Sequence, residues 1–220
     1  MSRVLLVFGR EPREGSVKTR LIPAIGAIAA TRVYHALLQR ALVAATAATA
    51  DKRTLYLDLK STTSAVAADA IQLGFSIDYQ ARGDLGARMA SAIEQHNKTA
   101  RSVVLIGSDC PAYSGQYIDA AFDALQHADA VIGPASDGGY VLIGLRRFDP
   151  VLFHAIRWGS HEVLAQTRER LRQLNWVWQE LETLDDLDLP QDLAKHRALA
   201  DIANLENSRA SNVAPPIDSA

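Results

Sequence analysis

Residues 107–111 read Gly-Ser-Asp-Cys-Pro and contain the acid of this sequence that is best placed to bind a metal ion. This acid, Asp109, follows an apolar run at 103–106 without polar alternation, which predicts a buried strand. Ligands bind at the carboxyl ends of the strands in open α/β sheets. There Mg²⁺ or Mn²⁺ takes one or two protein carboxylates and leaves sites for phosphate oxygens and water. An Asp-containing turn is the alternative, and we favour metal binding because the run directs Asp109 to the ligand edge.

A loop rich in basic residues follows the first apolar run. Residues 9–21 contain two glycines and four basic residues, among them Lys18 and Arg20. The amides of such a loop can surround a phosphate while Lys18 and Arg20 neutralise its charge. The loop has no Gly-Lys-Ser/Thr at the spacing of a Walker A motif. Its composition fits a solvated charged turn equally well.

Residues 80–89 contain two glycines at the start of a predicted helix. Gly83 and Gly86 flank this start, and Asp84 is its expected N-cap. A base or ribose could approach the backbone closely at glycine. A turn that enters an amphipathic helix explains the same pattern.

Residues 133–140 place a second acid beside two glycines. Gly138 and Gly139 would let the backbone approach a substrate, and Asp137 adds a carboxylate at the edge of the sheet. Asp-Gly is also a strong signal for a type I′ hairpin turn into the apolar run at 141–145. The two interpretations are compatible.

Residues 184–193 contain four acids near a predicted helix start. They could serve only as capping and solubility charges. Alternatively, one of them could complete the metal site that begins with Asp109. Cys110 is a weak candidate nucleophile and a better candidate for a small apolar filler, because no histidine is near it in sequence.

The predicted elements alternate between strands and helices. Apolar runs predict strands at 4–8, 54–57, 103–106, 130–132 and 141–145. Helical spacing predicts helices at 27–50, 63–73, 85–98, 114–127 and 161–174, with Ser114 and Ser160 as N-caps. This alternation indicates βαβ units and an α/β fold with a doubly wound sheet.

The composition limits the class of protein. The chain of 220 residues is 48% hydrophobic, which predicts one globular domain over 1–203, followed by a disordered tail over 204–220. The net charge of −2 provides no field for nucleic acid or an anionic membrane. One cysteine excludes an internal disulfide. No apolar run reaches the ~20 residues of a membrane helix, so we expect a cytoplasmic protein. The sequence predicts no oligomeric state.

The five segments, in this order, resemble the GT-A superfamily of nucleotide-diphospho-sugar transferases. More narrowly, they resemble a bacterial glycosyltransferase-like family associated with radical-SAM, selenodomain and arsenosugar-biosynthesis genes. The motifs that carry the resemblance stand at 12–23, 80–89, 107–111, 137–145 and 186–193, and it spans residue 4 to about residue 193. The resemblance implies a three-layer αβα sandwich with a mostly parallel, mixed sheet.

The resemblance also implies roles for individual residues. It implies phosphate contacts for Lys18 and Arg20, and Mg²⁺ or Mn²⁺ bound by Asp109 and Asp188. The segment expected to meet the nucleotide contains Gln80, Gly83 and Gly86, and the segment expected to face the sugar or acceptor contains Asp137, Gly138, Gly139 and Tyr140.

The sequence departs from the family pattern at two places. Leu189 and Gln191 stand where the family has Thr and Glu, which loosens the alignment around Asp188. The family's Trp-Ser-Thr is replaced by Trp-Gly-Ser at 158–160, which leaves an acceptor-side role for that loop open.

The resemblance implies group transfer from a nucleotide-sugar or nucleotide donor to a small-molecule acceptor. Lys18 would stabilise the leaving phosphate, and Asp137 is the candidate base for the acceptor hydroxyl. Glycosyl transfer with release of nucleoside diphosphate is the leading hypothesis. A nucleotidyltransferase of guanylyl or cytidylyl type, which would release pyrophosphate, is the alternative. A non-catalytic nucleotide-binding module is the second alternative.

Overall fold

The computed structural model describes residues 2–61 and 63–204 of the chain. These residues form two compact units that are both discontinuous in sequence. The first unit comprises residues 2–11 and 37–186, and the second comprises residues 12–36 and 187–204. A single domain over 1–203 stays a prediction. The predicted tail at 204–220 lies, apart from Asn204, outside the described residues.

The first unit contains the seven-stranded sheet. Its strands are β1 (Ser2–Gly9), β2 (Lys52–Leu57), β3 (Ser76–Tyr79), β4 (Ala100–Ile106), β5 (Ala130–Pro134), β6 (Tyr140–Leu145) and β7 (Trp178–Glu180). The order across the sheet is β3-β2-β1-β4-β6-β5-β7. Within this sheet β6 alone runs opposite to the other strands, because it pairs antiparallel with both β4 and β5. The expected α/β fold with a mostly parallel, mixed sheet is confirmed.

The helices alternate with the strands along the chain. They are α1 (Ile22–Ile25), α2 (Ala27–Ala47), α3 (Ala65–Gln72), α4 (Leu85–Asn97), α5 (Gly115–Ala124), α6 (Val163–Gln173), α7 (Pro190–Ala194) and α8 (Arg197–Asn204), with a 3₁₀ helix at Pro150–Phe153. None of the helices within 2–61 and 63–204 has the length and apolar character that crossing a membrane requires.

The sheet of the first unit is covered on both faces. Residues 4–7 of β1 are at most 2% exposed, so neither set of alternating side chains meets solvent. One face packs against Met89 of α4 and Leu171 of α6 in a single apolar cluster. On the other face Leu38 of α2 lies against Gly9. Helices on both faces make this unit a three-layer αβα sandwich.

Side-chain caps fix the starts of several helices. Asp84 accepts a hydrogen bond from the amide of Ala87 at the start of α4, which confirms its predicted role. Ser114 caps α5 in the same way. The prediction of Ser160 as the N-cap of the next helix is wrong, because α6 begins at Val163. The Ser160 hydroxyl instead lies in the preceding turn, where it donates to Arg157 O at 2.7 Å.

Helix α2 ends at Ala47, three residues before the predicted end at residue 50. The Arg53 guanidinium donates to the carbonyl oxygens of Ala45 at 2.8 Å and Ala48 at 2.6 Å. Carbonyl groups in the last turn of a helix have no partner within the helix. Arg53 supplies hydrogen bonds there, and the chain turns into β2.

Candidate functional site

Asp109 lies three residues after the end of β4, at the carboxyl edge of the parallel strands. The turn that carries it is attached to β6, since the amide of Gly107 donates to Val141 O at 3.2 Å. The Tyr113 hydroxyl donates to the same carbonyl oxygen at 2.6 Å. Ser108 is buried and Asp109 is half-buried. The backbone of this turn is therefore held in place, with Asp109 at the carboxyl edge of the parallel strands.

Asp186 shares the surroundings of Asp109. Burial raises the pKa of Tyr113 well above its ordinary value, and the negative charges of Asp186 and Asp109 raise it further. The charges of both carboxylates thus act on one hydroxyl group. Within residues 2–61 and 63–204, however, no three His, Cys, Asp or Glu side chains form a group that could hold a metal ion. The carboxylates of Asp109 and Asp186, whose charges both act on Tyr113, are the candidate oxygen ligands of this region.

Cys110 follows Asp109 and is fully buried. Burial raises the pKa of its thiol to about 12, and the charges of Asp186 and Asp185 add to the effect. Since the thiolate is the nucleophilic form, this side chain is unreactive at neutral pH. Its interpretation as a small apolar filler agrees with this environment.

Gln80 uses its side-chain amide to join the ends of neighbouring strands. Its Nε2 donates to the carbonyl oxygens of Gly9 at 2.8 Å and Tyr56 at 3.1 Å. Its Oε1 accepts a hydrogen bond from Arg88 Nη1 at 2.8 Å. The two amide protons are therefore taken by β1 and β2, and Gln80 positions the ends of these strands. The sequence predicted a contact between Gln80 and the nucleotide.

The two glycines after Gln80 occupy special positions. Gly83 has a φ of +120°, a region that side chains with a β-carbon rarely adopt. At Gly86 a β-carbon would lie 2.5 Å from Nε1 of Trp158. The close approach that Gly86 permits is therefore made by an indole of the protein itself.

Residues 135–139 form the hairpin turn between β5 and β6. The amide of Gly138 donates to Ala135 O at 3.2 Å, and the amide of Ala135 donates to Gly139 O at 3.1 Å. Gly138 has a φ of +89°, whereas Asp137 is not among the residues with positive φ. A type I′ turn needs positive φ at both of its central residues, so the expected type I′ turn centred on Asp137 and Gly138 is wrong.

Asp137 contributes to the structure of this turn. Its Oδ1 accepts the amide hydrogen of Gly139 at 2.8 Å, and its side chain is exposed. Hydrogen bonds of this kind between an Asp side chain and the amide two residues later are common in turns. The second carboxylate oxygen, Oδ2, is not used in this bond.

The segment Gly138–Tyr140 packs against residues 158–164. The amide of Leu164 donates to Gly138 O at 2.9 Å, and a β-carbon at Gly138 would collide with the carbonyl group of His161. The rings of Tyr140 and Trp158 meet edge to face, with centroids 6.3 Å apart. The predicted acceptor segment and the loop containing Trp158 therefore form one wall.

Two polar atoms in this wall are buried without a hydrogen bond of normal geometry within the described residues, Tyr140 Oη and Trp158 Nε1. Burial raises the pKa of Tyr140, and the nearby Thr167 hydroxyl counteracts this in part. Thr167 itself donates to Val163 O at 2.9 Å. Buried polar atoms without partners are rare in folded proteins and often mark functional sites.

The second unit brings together Lys18, Arg20 and Asp188. Lys18 Nζ lies 2.9 Å from Asp188 Oδ1, and Arg20 Nη1 lies 3.4 Å from Asp188 Oδ2. The sequence predicted phosphate contacts for the two basic residues and a metal for the acid. In the structure both basic residues pair with Asp188.

Sequence reasoning did not single out Asp186, Trp158 or Tyr113. Asp186 is one of the four acids noted at 184–193 in the sequence, but only the surroundings of Tyr113 distinguish it from its neighbours. Trp158 was noted as part of a motif that departs from the family pattern. Its packing on Gly86 depends on two segments that are more than 70 residues apart and has no signal in the sequence.

Comparisons with known proteins identify the family. The model of the family described as "Uncharacterized protein conserved in bacteria (DUF2064)" matches residues 41–160. A crystal structure from Desulfovibrio desulfuricans G20, named "putative nucleotide-diphospho-sugar transferase", is 32% identical, with a TM-score of 0.82 and 96% of each chain covered. No curated protein matches the chain.

More distant structures share the fold. The structure of CMP:2-keto-3-deoxy-manno-octonic acid synthetase complexed with CTP is 11% identical, with a TM-score of 0.56 over 91% of this chain and 99% of that one. Rv0371C from Mycobacterium tuberculosis H37Rv, in complex with manganese, is 16% identical, with a TM-score of 0.51 over 89% of this chain and 97% of that one. With its family matched over more than half of its length, the chain belongs to the bacterial family DUF2064, and its fold is that of nucleotide-diphospho-sugar transferases and cytidylyltransferases.

Proposed function

We propose that this protein is a metal-dependent glycosyltransferase, which moves a sugar from a nucleotide-linked donor to a small-molecule acceptor and releases nucleoside diphosphate. The observation that carries the proposal is the Asp109 carboxylate, placed at the carboxyl end of β4 with Asp186 in the same surroundings. The relative from Desulfovibrio desulfuricans supports the donor class through its name.

The carboxylates of Asp109 and Asp186 suit a hard divalent cation. Mg²⁺ usually binds one or two protein carboxylates together with substrate phosphates, and a pair of carboxylates fits this ligand set. When bound, Mg²⁺ or Mn²⁺ would neutralise charge on the donor pyrophosphate. The fold likeness to a manganese complex is in keeping with this choice of metal.

The other residues bind and orient the reactants. Arg20 supplies positive charge for the leaving phosphate, next to the ion pair of Lys18 and Asp188. Gln80 holds the ends of β1 and β2 in place through its bonds to backbone carbonyls, and Gly83 lets the backbone of the nucleotide-binding segment take its left-handed conformation. Gly86 has no β-carbon, which leaves room for the Trp158 indole to pack against this segment.

The turn at 137–140 faces the acceptor in this proposal. Asp137 has one carboxylate oxygen that the turn does not use, and this oxygen takes the proton of the acceptor hydroxyl. The acceptor oxygen forms a bond to the anomeric carbon as the bond from this carbon to the phosphate oxygen breaks. The electron pair of the broken bond stays on the phosphate, which leaves as nucleoside diphosphate. Gly138, Gly139 and Tyr140 form the wall against which the acceptor lies.

Nucleotidyl transfer is the second candidate because the synthetase complexed with CTP has the same fold. In that reaction the substrate attacks the α-phosphorus of a nucleoside triphosphate, and pyrophosphate leaves. The site residues would keep their roles toward the phosphates, and only the bond that breaks would differ.

Product analysis separates the two reactions. The full chain is incubated with Mn²⁺ and either a panel of nucleotide sugars or the four nucleoside triphosphates, and nucleoside diphosphate and pyrophosphate are measured separately. We expect diphosphate from a nucleotide sugar, whereas pyrophosphate from a triphosphate would establish nucleotidyl transfer. Asp109→Asn should abolish Mn²⁺-dependent donor binding. Unchanged donor affinity in this variant with Mn²⁺ present would refute the proposed site.

A further inference from the structure

The Asp188 carboxylate is shared between two cations of the second unit. Each of its oxygens accepts a bond from a different side chain, Oδ1 from Lys18 Nζ at 2.9 Å and Oδ2 from Arg20 Nη1 at 3.4 Å. Because both oxygens of Asp188 accept hydrogen bonds from cations, this carboxylate acts as a counter-ion. The sequence had predicted that Asp188 binds a metal.

Lys18 depends on such a counter-ion because it is buried. Its side chain is 3% exposed, and a buried ammonium group is costly unless it is paired. Its backbone has a φ of +46°, in the left-handed region that residues with a β-carbon adopt only when the surrounding structure holds them there. The interactions of this unit thus fix both the backbone and the charge of Lys18.

Arg20 differs from Lys18 in its accessibility. The Arg20 side chain is 67% exposed, so most of its guanidinium surface faces solvent. A guanidinium has five N–H donors in a fixed plane, which suits phosphate oxygens. Asp188 engages one edge of this plane and restricts its orientation. An anion arriving from solvent therefore meets the exposed Arg20 rather than the buried Lys18.

The position of Asp188 is itself fixed by Asp192. Oδ2 of Asp192 accepts the amide hydrogens of Asp188 at 3.3 Å and Leu189 at 2.9 Å. Burial would raise the pKa of Asp192, but these two amides and Lys195 outweigh it and lower the pKa. A carboxylate that stays charged thus anchors the backbone of Asp188 before any ligand binds.

We propose that Asp188 is a positioning residue: it is the counter-ion of Lys18, and it orients Arg20 as the group of this cluster that binds a phosphate of the donor. The inference rests on the proposed function for the identity of the anion. It assigns Asp188 to the phosphate side of the reaction, in place of the metal-binding role expected from the sequence.

Thermal stability in EDTA tests the counter-ion role without any metal. Asp188→Asn should lower the Tm because it takes the Asp188 carboxylate away from the buried ammonium of Lys18. Adding Lys18→Met to this variant removes the buried positive charge and should restore at least half of the decrease in Tm. If Asp188→Asn leaves the Tm unchanged, or if the double variant is no more stable than Asp188→Asn, the counter-ion role is refuted.

Binding measurements test whether Asp188 binds the metal and whether Arg20 binds the phosphate. We expect Asp188→Asn to keep the Mn²⁺ affinity of the wild type within twofold, while Asp109→Asn loses at least tenfold. Arg20→Gln should weaken inorganic pyrophosphate binding at least fivefold. Arg13→Gln, which removes the same charge from an exposed residue of the same unit, should change it less than twofold.

Each outcome has a separate meaning. A loss of Mn²⁺ affinity in Asp188→Asn as large as that in Asp109→Asn would make Asp188 a metal ligand and overturn the inference. Equal losses of pyrophosphate affinity in Arg20→Gln and Arg13→Gln would show general electrostatic attraction and overturn the role of Arg20. If Asp109→Asn keeps full Mn²⁺ affinity, the proposed function fails, whereas the thermal test of Lys18 and Asp188 still stands on its own.

Discussion

The Trp158 indole lies directly on Gly86, in the space that a β-carbon at this position would occupy. Nε1, Cζ2 and Cε2 of the indole would be 2.5, 2.6 and 2.7 Å from that carbon. Gly86 belongs to the first turn of α4, and Trp158 lies between the 3₁₀ helix and α6. The contact between these two residues therefore fixes the loop that carries Trp158 relative to the helix that follows the predicted nucleotide segment.

Gly86→Ala should displace the Trp158 indole and destabilise the first unit. Atoms at these distances cannot coexist, and overpacking a well-packed region costs about 1–3 kcal/mol. Urea unfolding followed by circular dichroism measures the loss, and the near-ultraviolet spectrum reports the tryptophan environment. Gly107→Ala is the matched control, because a β-carbon there meets nothing within 4 Å. If the two variants unfold alike, the packing of Trp158 on Gly86 is wrong.

Gln80→Met should lower stability by removing the bonds that join the ends of β1 and β2. Met keeps the length of the side chain but cannot donate to Gly9 O and Tyr56 O or accept from Arg88. Losing buried hydrogen-bond partners costs about 1–3 kcal/mol. Gln126→Met, which removes a bond at an exposed residue, is the control for unfolding in urea. If Gln80→Met and Gln126→Met lower the free energy of unfolding equally within experimental error, the positioning role of Gln80 is rejected.

The residues that could be predicted are those whose signal is local. The apolar run of residues 4–8 predicted β1, and the polar turn after the run at 103–106 placed Asp109 at the strand end. The edge strands β3 and β7 were missed, because they are short and mostly half-buried or exposed, so their side chains show no continuous apolar run. Asp186 could not be chosen from the four acids at 184–193, since its effect on Tyr113 depends on tertiary structure.

The pairing within the second unit was hidden for a related reason. Lys18 and Asp188 are separated by 170 residues, and each alone fits a role toward a ligand. Basic residues in a loop predict phosphate binding, and an acid at a helix start predicts a cap or a metal ligand. Only their distance in the folded chain shows that they compensate each other's charge.

The buried thiol of Cys110 should make stability fall at alkaline pH. Its pKa is raised from 9.0 to about 12 by burial. At pH values below the pKa of the Cys110 thiol in the unfolded chain, the thiol is protonated in both the folded and the unfolded protein. Its ionisation then takes nothing from the stability of the folded state. Above this pKa only the unfolded chain releases the proton, so stability falls as the pH rises from 9.0 toward about 12, by at most about 1.4 kcal/mol per pH unit.

Urea midpoints at pH 8, 9, 10 and 11 for the wild type and Cys110→Ala measure this effect. The buried Tyr140, whose raised pKa does not involve Cys110, loses its proton on unfolding in both proteins and contributes equally. The difference in urea midpoint between the wild type and Cys110→Ala therefore reports the ionisation of Cys110. This difference should shrink as the pH rises. Curves that stay parallel across this range would show that Cys110 ionises normally in the folded protein.

Asp137→Asn should separate the structural role of Asp137 from its proposed role as a base. The Asn Oδ1 can still accept the amide hydrogen of Gly139, so the turn and the Tm should stay unchanged. Without a carboxylate the acceptor proton has no base, and kcat should fall by about 10²–10⁴-fold with little change in donor affinity. Asp149→Asn is the matched control, since Asp149 also accepts the amide hydrogen of the residue two positions later. Equal activity in the two variants would exclude Asp137 as the base, and a lowered Tm in Asp137→Asn alone would assign it to the turn.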